Sequence, residues 1–299
     1  MPVNKDWSGH AAMLLFSALV AGSFSLGSMA ANEIAPAALN AARFLIAGVL
    51  IFGVALATTG FKKSDFEAPW RYGIMGGLFA IYFVLMFEGL KTAAPISTAA
   101  VFTLTPVMAA GFGYVLLRQM MTKRIVLALS IGAVGAVWVI FRADLTALLA
   151  FRLGTGEIIY FWGCMAHAIY TPMVRKLNRG EPAVVFSFGM MVAGFVVLTL
   201  WGWTDIWSTD WAALPRIVWI TLFYTAVFAS AATFVLLQFA ALRLPSSKVM
   251  AYTYLTPSWV ILWEVAFGRG VPPFAVLPGI GLTVVALILL LRKEDERSE

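Results

Sequence analysis

Long apolar stretches alternate with short polar segments along the whole chain. An α-helix needs about 20 apolar residues to cross the hydrocarbon core of a bilayer, and most of the stretches are close to that length. The pattern predicts ten membrane-spanning helices, at about residues 9–31, 38–57, 70–90, 96–117, 125–141, 155–174, 183–202, 215–240, 247–267 and 273–291. We therefore expect an all-α integral membrane protein with mostly short loops.

Two of the predicted helices, the fourth and the ninth, carry the same Leu-Thr-Pro triplet near their middle. Aligning the triplets pairs residues 89–106 with residues 240–257 without a gap. A proline inside a helix removes one backbone hydrogen bond, so both helices are expected to bend, at Pro106 and at Pro257. Paired broken helices in the two halves of a membrane chain are typical of transporters. We interpret the two prolines as hinges.

Positive charge is distributed unevenly between the two sides of the predicted bundle. Of the 21 lysines and arginines, 15 fall on one side and five on the other, and Arg43 lies inside the second span. The positive-inside rule assigns the richer side, with both termini, to the cytosol. Because five helices per half is an odd number, the second half enters the membrane from the opposite side. The sequence thus predicts two inverted five-helix repeats, residues 1–148 and 149–299, the second with a short cytosolic tail.

Composition narrows the function further. Hydrophobic residues make up 61% of the chain and charged residues 12%, which is typical of a membrane protein. The sequence has no Cys/His metal-binding pattern and no glycine-rich phosphate loop, and its one cysteine, Cys164, excludes an intramolecular disulfide. A membrane enzyme would need a group of reactive residues, and none is recognisable. We predict no metal, no cofactor and no catalytic residue, and we attribute the net charge of +6 to topology rather than to nucleic-acid binding.

Residues that share a helix face indicate which spans line a central cavity. Thr105 and Met108 of the fourth helix, and the equivalent Thr256 and Trp259 of the ninth, lie three residues apart and therefore on one face. The sixth helix carries polar and aromatic residues at similar spacing around His167. Spans 1, 3, 4, 6, 8 and 9 are expected to form the cavity wall. The candidate substrate-binding residues are Phe79, Tyr82, Thr105, Met108, Trp162, His167, Tyr170, Tyr224, Gln238, Tyr252, Thr256, Trp259 and Trp263.

A plainer interpretation is that these side chains only pack helix against helix, or that the aromatic ones lie at the membrane interface. It fits the four tryptophans between residues 201 and 211, which lie near an external loop of the predicted topology. For His167, Tyr252 and Trp259 a cavity role is favoured. Aromatic and ionisable groups near the middle of a bilayer usually face protein or water rather than lipid.

Three other features carry expectations of their own. Arg43, without a counterpart in the second half, is expected to be structural and to bind carbonyl groups or Glu33. Lys248, at the cytosolic start of the ninth span, could meet a substrate carboxylate or simply extend to the membrane surface. Glycines of the fifth and tenth spans allow close helix approach and are expected to brace the two halves or a dimer; they include Gly132, Gly135, Gly279 and Gly281.

Taken together, the sequence resembles the drug/metabolite transporter superfamily, in its EamA branch. The resemblance rests on the inverted five-helix repeats, on Pro36 and Arg43 around the second span, and on the broken fourth and ninth helices. Residues 27–43, which contain Asn32-Glu33-Ile34, further resemble the bacterial YddG-type amino-acid exporters. This resemblance implies a multi-pass protein of the bacterial inner membrane that exports amino acids by alternating access.

The residue types of the predicted cavity bear on the substrate. Small multidrug exporters of the superfamily carry a carboxylate in their first helix, whereas residues 9–31 of this chain contain no acid. A cavity with Trp, Tyr, Thr and one His, but no central carboxylate, suits a neutral or zwitterionic solute. A nucleotide-sugar carrier should have several basic residues in its cavity, and only Lys248 qualifies. Aromatic and other neutral amino acids are therefore the expected small-molecule substrates, with a nucleotide sugar or a lipophilic cation as the alternative.

Overall fold

The computed structural model describes residues 5–150 and 153–291. Within these ranges every regular element is a helix and there is no β-strand. The α-helices are α1 Lys5–Ala30, α2 Pro36–Thr58, α3 Trp70–Leu90, α4 Pro95–Phe102, α5 Thr105–Leu117, α6 Lys123–Ile140, α7 Leu145–Leu149, α8 Thr155–Leu177, α9 Ala183–Trp201, α10 Trp203–Ser208, α11 Arg216–Ala226, α12 Thr233–Ala241, α13 Ser246–Ala251, α14 Thr256–Ala266 and α15 Leu277–Leu291. Shorter 3₁₀ segments lie at Lys63–Phe66, Tyr252–Leu255 and Phe274–Val276, and a π-helical segment lies at Val227–Ala232.

Eight helical runs in the described ranges are long and apolar enough to cross a membrane, so the chain is a multi-pass membrane protein. They are Trp7–Ala30, Pro36–Thr58, Trp70–Leu90, Pro95–Leu117, Lys123–Ile140, Ala183–Trp201, Arg216–Ala241 and Phe274–Leu291. The expected sixth and ninth spans are helical, as α8 and as the run from α13 to α14, but they are not among the eight. Charged residues shorten their apolar stretches: Glu157 and Arg175 in α8, and Lys248 and Glu264 in the other run.

Both Leu-Thr-Pro triplets interrupt their helices. In the first half, α4 ends at Phe102 and α5 begins at Thr105. In the second half, a 3₁₀ segment separates α13 from α14, and each proline lies in the first turn of the helix that follows. A proline is tolerated there because the first backbone N–H groups of a helix have no partner inside that helix.

The two interruptions replace the missing hydrogen bond differently. The Thr105 hydroxyl donates to the Phe102 carbonyl at 2.6 Å, so a side chain takes over from the absent N–H of Pro106. In the second half, the backbone N–H of Thr256 bonds to the Thr253 carbonyl. The interruptions also touch, because the hydroxyls of Thr105 and Thr253 are 3.2 Å apart and hydrogen-bonded. The midpoints of the two broken helices are therefore in direct contact.

Helices from the two halves of the chain pack against one another throughout the bundle. The first-half helix α3 packs along α8 and α9, α5 packs along α8 and α13, and α6 packs along α15. The contact between α6 and α15 depends on glycine: a Cβ at Gly135 would lie 2.5 Å from the carbonyl oxygen of Gly279. Gly281 has open space around its Cα instead. A Cβ at Gly132 would clash with the Tyr254 ring. The expectation of close packing therefore applies to Gly132, Gly135 and Gly279 and does not apply to Gly281.

Arg43 joins α2 to the π-helical segment. Its side chain is fully buried and donates to the Ser230 hydroxyl at 2.6 Å and to the Ala229 carbonyl at 2.7 Å. The guanidinium carbon also lies 3.7 Å from the centre of the Phe83 ring. A π turn leaves backbone carbonyls out of the regular α-helical ladder, and Arg43 satisfies one of them. The expectation that Arg43 binds carbonyl groups agrees with these contacts, whereas Glu33 is not among its described partners.

Candidate functional site

The middle of the bundle holds a cluster of aromatic side chains around His167. The His167 ring, 1% exposed, lies parallel to Phe102 at 5.3 Å and within 4.6 Å of Tyr82 and 5.2 Å of Phe79, measured between ring centres. Phe79 in turn meets the edge of Tyr170 at 4.0 Å. Rings in such tilted and edge-to-face arrangements attract one another beyond the area they bury.

Hydrogen bonds join α3 to α8 within this group and extend it to α12. The hydroxyls of Tyr82 on α3 and Tyr160 on α8 are bonded at 3.0 Å. The side-chain amide of Gln238 on α12 donates to the Tyr170 hydroxyl at 2.6 Å. Phe234, one turn before Gln238, packs on Phe79 at 4.4 Å between ring centres. We call this group the central cluster; it comprises Phe79, Tyr82, Phe102, Tyr160, His167, Tyr170, Phe234 and Gln238.

Several buried polar atoms in and near the central cluster have no hydrogen-bond partner in the described part of the chain. They are both ring nitrogens of His167, the amide oxygen of Gln238, and the hydroxyls of Thr233 and Thr256. An unpaired polar group buried away from water costs about 1–3 kcal/mol, so proteins seldom keep one without a use. These atoms offer two-way hydrogen bonding to a polar solute, because histidine and threonine can donate or accept.

The central cluster holds no carboxylate. The buried acidic residues are Asp65, Glu157, Glu181 and Glu264, and each lies at or beyond a helix end. Groups of three or more His, Cys, Asp or Glu that could hold a metal ion do not occur among the described residues. Within the cluster the available chemistry is ring stacking and neutral hydrogen bonding. A buried positive charge lies beside it, because Arg43 packs on Phe83, whose ring contacts Phe79 and Tyr82.

Polar contacts tie α8 to the first half of the chain at both of its ends. At the end that we call the Arg71 end, Arg71 of α3 pairs with Glu181 at 2.5 Å and donates to the Leu177 carbonyl at 2.6 Å. At the other end of α8, the Ser97 hydroxyl of α4 donates to the Glu157 carboxylate at 2.7 Å. All four side chains in these two contacts are buried. Buried polar contacts therefore fasten α8 to α3 at one end and to α4 at the other.

Of the predicted site residues, five belong to the central cluster: Phe79, Tyr82, His167, Tyr170 and Gln238. Thr105 is buried at the contact between the two broken helices, and Met108, one turn further along α5, is half-buried. Tyr252 is 5% exposed, with its ring 6.0 Å from that of His10 on α1. Thr256 is buried, and its hydroxyl is one of the unpartnered atoms described above.

Three other predicted residues pack around α1, outside the central cluster. The Trp259 indole donates to the Ser17 hydroxyl at 3.2 Å, and the Tyr224 hydroxyl donates to the Leu19 carbonyl at 2.9 Å. Trp263 meets the edge of Tyr224 at 5.5 Å between ring centres. All three side chains are half-buried. They form a separate aromatic layer between α1, α11 and α14.

Trp162 is not brought into either group. Its side chain is 57% exposed on the outer face of α8, where its ring contacts only Phe161 among the described aromatic residues. Neighbouring positions on a helix point about 100° apart, and the inward face of α8 is fixed by Cys164 and His167, which are two and five residues from Trp162. The outward position of Trp162 follows from that helical phase.

Phe102 and Phe234 belong to the central cluster although the sequence did not single them out. Regular α-helical spacing selects Val101 rather than Phe102, but the interruption at Thr103 changes the helical phase at this point. The π-helical segment Val227–Ala232 has the same effect before Phe234, because a π turn holds more residues than an α turn. The signals available in the sequence are the proline that causes the first interruption and the run of small residues that allows the second.

Comparisons with known proteins agree with this architecture. A sequence model described as the EamA-like transporter family matches residues 7–141 and again residues 154–292. The uncharacterized transporter YyaM of Bacillus subtilis is 25% identical over 93% of this chain and 91% of its own length. An S-adenosylmethionine/S-adenosylhomocysteine transporter of Chlamydia trachomatis is 24% identical over 91% of this chain and 85% of its own length.

Solved structures support the same fold. One crystal structure superposes with a TM-score of 0.70 over 96% of this chain and 97% of its own, at 20% sequence identity. At that identity the likeness extends to the fold and no further. The family matches, in contrast, cover nearly the whole chain in two consecutive segments. The chain belongs to the EamA-like transporter family.

Proposed function

We propose that this chain is a secondary transporter that exports amino acids, with aromatic and other neutral ones favoured, by alternating access. In this proposal ten spans form two inverted repeats, residues 1–148 and 149–299, in the bacterial inner membrane, and both termini lie in the cytosol. The two family matches, to residues 7–141 and 154–292, support the division into halves. The two interrupted helices, in contact through Thr105 and Thr253, support a hinge role for Pro106 and Pro257.

The observation that carries the proposal is the central cluster with its unpartnered polar atoms. Aromatic rings can stack on an apolar or aromatic side chain, and the His167 nitrogens and the Gln238 amide oxygen can bond the amino and carboxyl groups of a zwitterion. Since no carboxylate lies in the cluster, a permanent cation would be attracted there only by the faces of the aromatic rings. The rings are packed directly on one another, so a substrate enters only when Phe79 and its neighbours separate.

The names of the Chlamydia relatives favour a narrower class of substrate, the adenosylated amino acids. The Chlamydia proteins are named for S-adenosylmethionine and S-adenosylhomocysteine. Both compounds keep an amino-acid zwitterion and add a purine that stacks on aromatic rings, and the first also carries a sulfonium. Tyr and Phe rings attract such a cation through their faces. An adenosylated amino acid is therefore our second candidate, and a nucleotide sugar or a lipophilic cation stays the alternative outside the amino-acid class.

The proposal is tested by removing one ring from the central cluster and one from the outer face. Phe79→Leu should raise the KM for phenylalanine flux into proteoliposomes by about two- to tenfold, because each aromatic contact is worth about 0.5–1.5 kcal/mol. Trp162→Leu is the matched control and should leave KM unchanged, since Trp162 lies outside the cluster. If both variants raise the KM equally, or if neither raises it, the cluster has no binding role.

A further inference from the structure

A polar pocket lies at the Arg71 end of the bundle, away from the central cluster. It has a volume of about 240 Å³ and is formed where α5, α8 and α13 converge with the loop between α5 and α6. The side chains that matter for its chemistry are Gln119, Arg175, Ser247 and Lys248. Other pockets of comparable size are lined almost wholly by apolar side chains of the outer surface, such as the one between α2 and α9.

The described residues that line the pocket carry positive charge without a compensating carboxylate. They include Arg175 and Lys248, and no Asp or Glu is among them. The ion pairs found in the described ranges join Arg71 to Glu181, Lys91 to Glu88 and Arg269 to Glu264, so neither pocket cation takes part in one. Arg175 donates one bond, to the Leu244 carbonyl at 3.1 Å, which orients its guanidinium and leaves further donors. Such a pair of cations is suited to an anion.

Neutral donors complete the lining. Ser247 is 6% exposed, and its hydroxyl can donate to a bound oxygen. The amide oxygen of Gln119 accepts the backbone N–H of Ser246 at 3.1 Å, which fixes the amide and leaves its NH₂ group as a donor. A carboxylate needs several donors around two oxygens, and ammonium, guanidinium, amide and hydroxyl groups supply them.

The pocket and the central cluster share one helix, α8. Arg175 follows His167 on α8 by eight residues, which at 1.5 Å per residue is about 12 Å along the helix. Lys248 precedes Thr256, whose hydroxyl is also unpartnered, by eight residues in the run from α13 to α14. A solute that moves along α8 from the Arg71 end would meet the pocket first and the central cluster second.

We propose that this pocket is an anion-binding site at the cytosolic entrance, which receives the carboxylate of the transported amino acid before it reaches the central cluster. This inference rests on the proposed function, because amino-acid transport is what brings a carboxylate to the pocket. The phosphate of an anionic lipid presents similar chemistry, and the experiment below separates the two sources.

The test compares charge removal inside and beside the pocket. Lys248→Gln and Arg175→Gln, each reconstituted in liposomes of neutral phosphatidylcholine, should raise the KM for phenylalanine supplied from the pocket side by about tenfold, with kcat unchanged. Lys176→Gln is the matched control, because Lys176 is an exposed neighbour of Arg175 that does not line the pocket. Phenylalaninamide, which has no carboxylate, should show the same KM in all four proteins.

The possible results distinguish a carboxylate site from a lipid site and from failure of the proposed function. If both pocket variants keep the KM of the unaltered chain, or if phenylalaninamide is affected as much as phenylalanine, the carboxylate site is refuted. If anionic lipid changes the KM of the unaltered chain but not that of the two pocket variants, and the KM values agree in neutral lipid, the pocket binds lipid. That result would also overturn the inference. If the unaltered chain moves no phenylalanine, the proposed function fails and this inference fails with it.

Discussion

Valine in place of threonine should have opposite effects at the two Leu-Thr-Pro triplets. The Thr105 hydroxyl donates to the Phe102 carbonyl at 2.6 Å and meets the Thr253 hydroxyl at 3.2 Å. The Thr256 hydroxyl, at the equivalent position of the second half, is buried and has no described partner. The first threonine therefore stabilises the fold, whereas the second leaves a polar atom available to a substrate.

The magnitudes follow from the hydrogen bonds that each substitution removes. Thr105→Val leaves the buried Phe102 carbonyl without its donor, which costs about 1–3 kcal/mol, so the free energy of unfolding should fall by about 2 kcal/mol. For a chain of this size that corresponds to a lower Tm by roughly 4 °C. Thr256→Val removes a polar group that has no partner, so stability should stay within about 0.5 kcal/mol or rise. Its flux of phenylalanine should fall by about two- to tenfold if the hydroxyl binds the zwitterion.

The chain itself supplies the assay. Cys164 is its one cysteine and is buried, so a thiol-reactive dye reports unfolding in detergent without an added label. Thr256→Ser keeps the hydroxyl and serves as the control for flux; it should transport normally. If Thr256→Val melts as early as Thr105→Val, its hydroxyl is satisfied in the folded protein and the reasoning from unpartnered atoms is wrong.

Two further predictions concern the packing and the Arg71 end. Gly135→Ala should lower the free energy of unfolding by about 1–3 kcal/mol, because the new methyl group meets backbone across the helix contact, while Gly281→Ala should have no effect in the same dye assay. Equal melting of the two variants would contradict the close contact. Glu181→Gln leaves the buried Arg71 unpaired and should cost about 3 kcal/mol at neutral pH, again measured as a lower Tm. Burial alone would raise the pKa of Glu181, but hydrogen bonds from Arg71 and the backbone outweigh burial and lower that pKa. The stabilisation by the ion pair is therefore complete at neutral pH and is lost as the pH falls through the lowered pKa. Unaltered protein should therefore lose its stability advantage over Glu181→Gln in acid, and an advantage that persists there would contradict the ion pair.

Much of the fold could be predicted from local sequence. Apolar stretches of membrane-crossing length predicted the spans, and eight of the ten are confirmed by length and composition. The repeated triplets predicted two interrupted helices, and both interruptions occur at the predicted residues. These features depend on short stretches of chain, where hydrophobicity and proline chemistry decide the outcome.

The candidate site was harder to predict because helical phase changes within the spans. In a regular α-helix Tyr224 and Gln238, 14 residues apart, would lie on nearly the same face. The π-helical segment between them instead turns Tyr224 toward α1, while Gln238 faces Tyr170. The contact of Arg43 with Ser230 joins residues 187 positions apart, and no local pattern in the sequence predicts it. Long-range pairing and departures from the α-helix thus account for the residues that sequence reasoning missed.

Counterflow of phenylalanine by the purified, unaltered chain tests the proposed amino-acid transport most directly. Proteoliposomes are loaded with unlabelled phenylalanine and diluted into a trace of labelled phenylalanine, with and without a pH gradient. We expect the label to accumulate transiently inside the vesicles, and unlabelled methionine outside to compete with it. No accumulation of phenylalanine, together with exchange of a nucleotide sugar or a lipophilic cation by the same vesicles, would contradict the central claim.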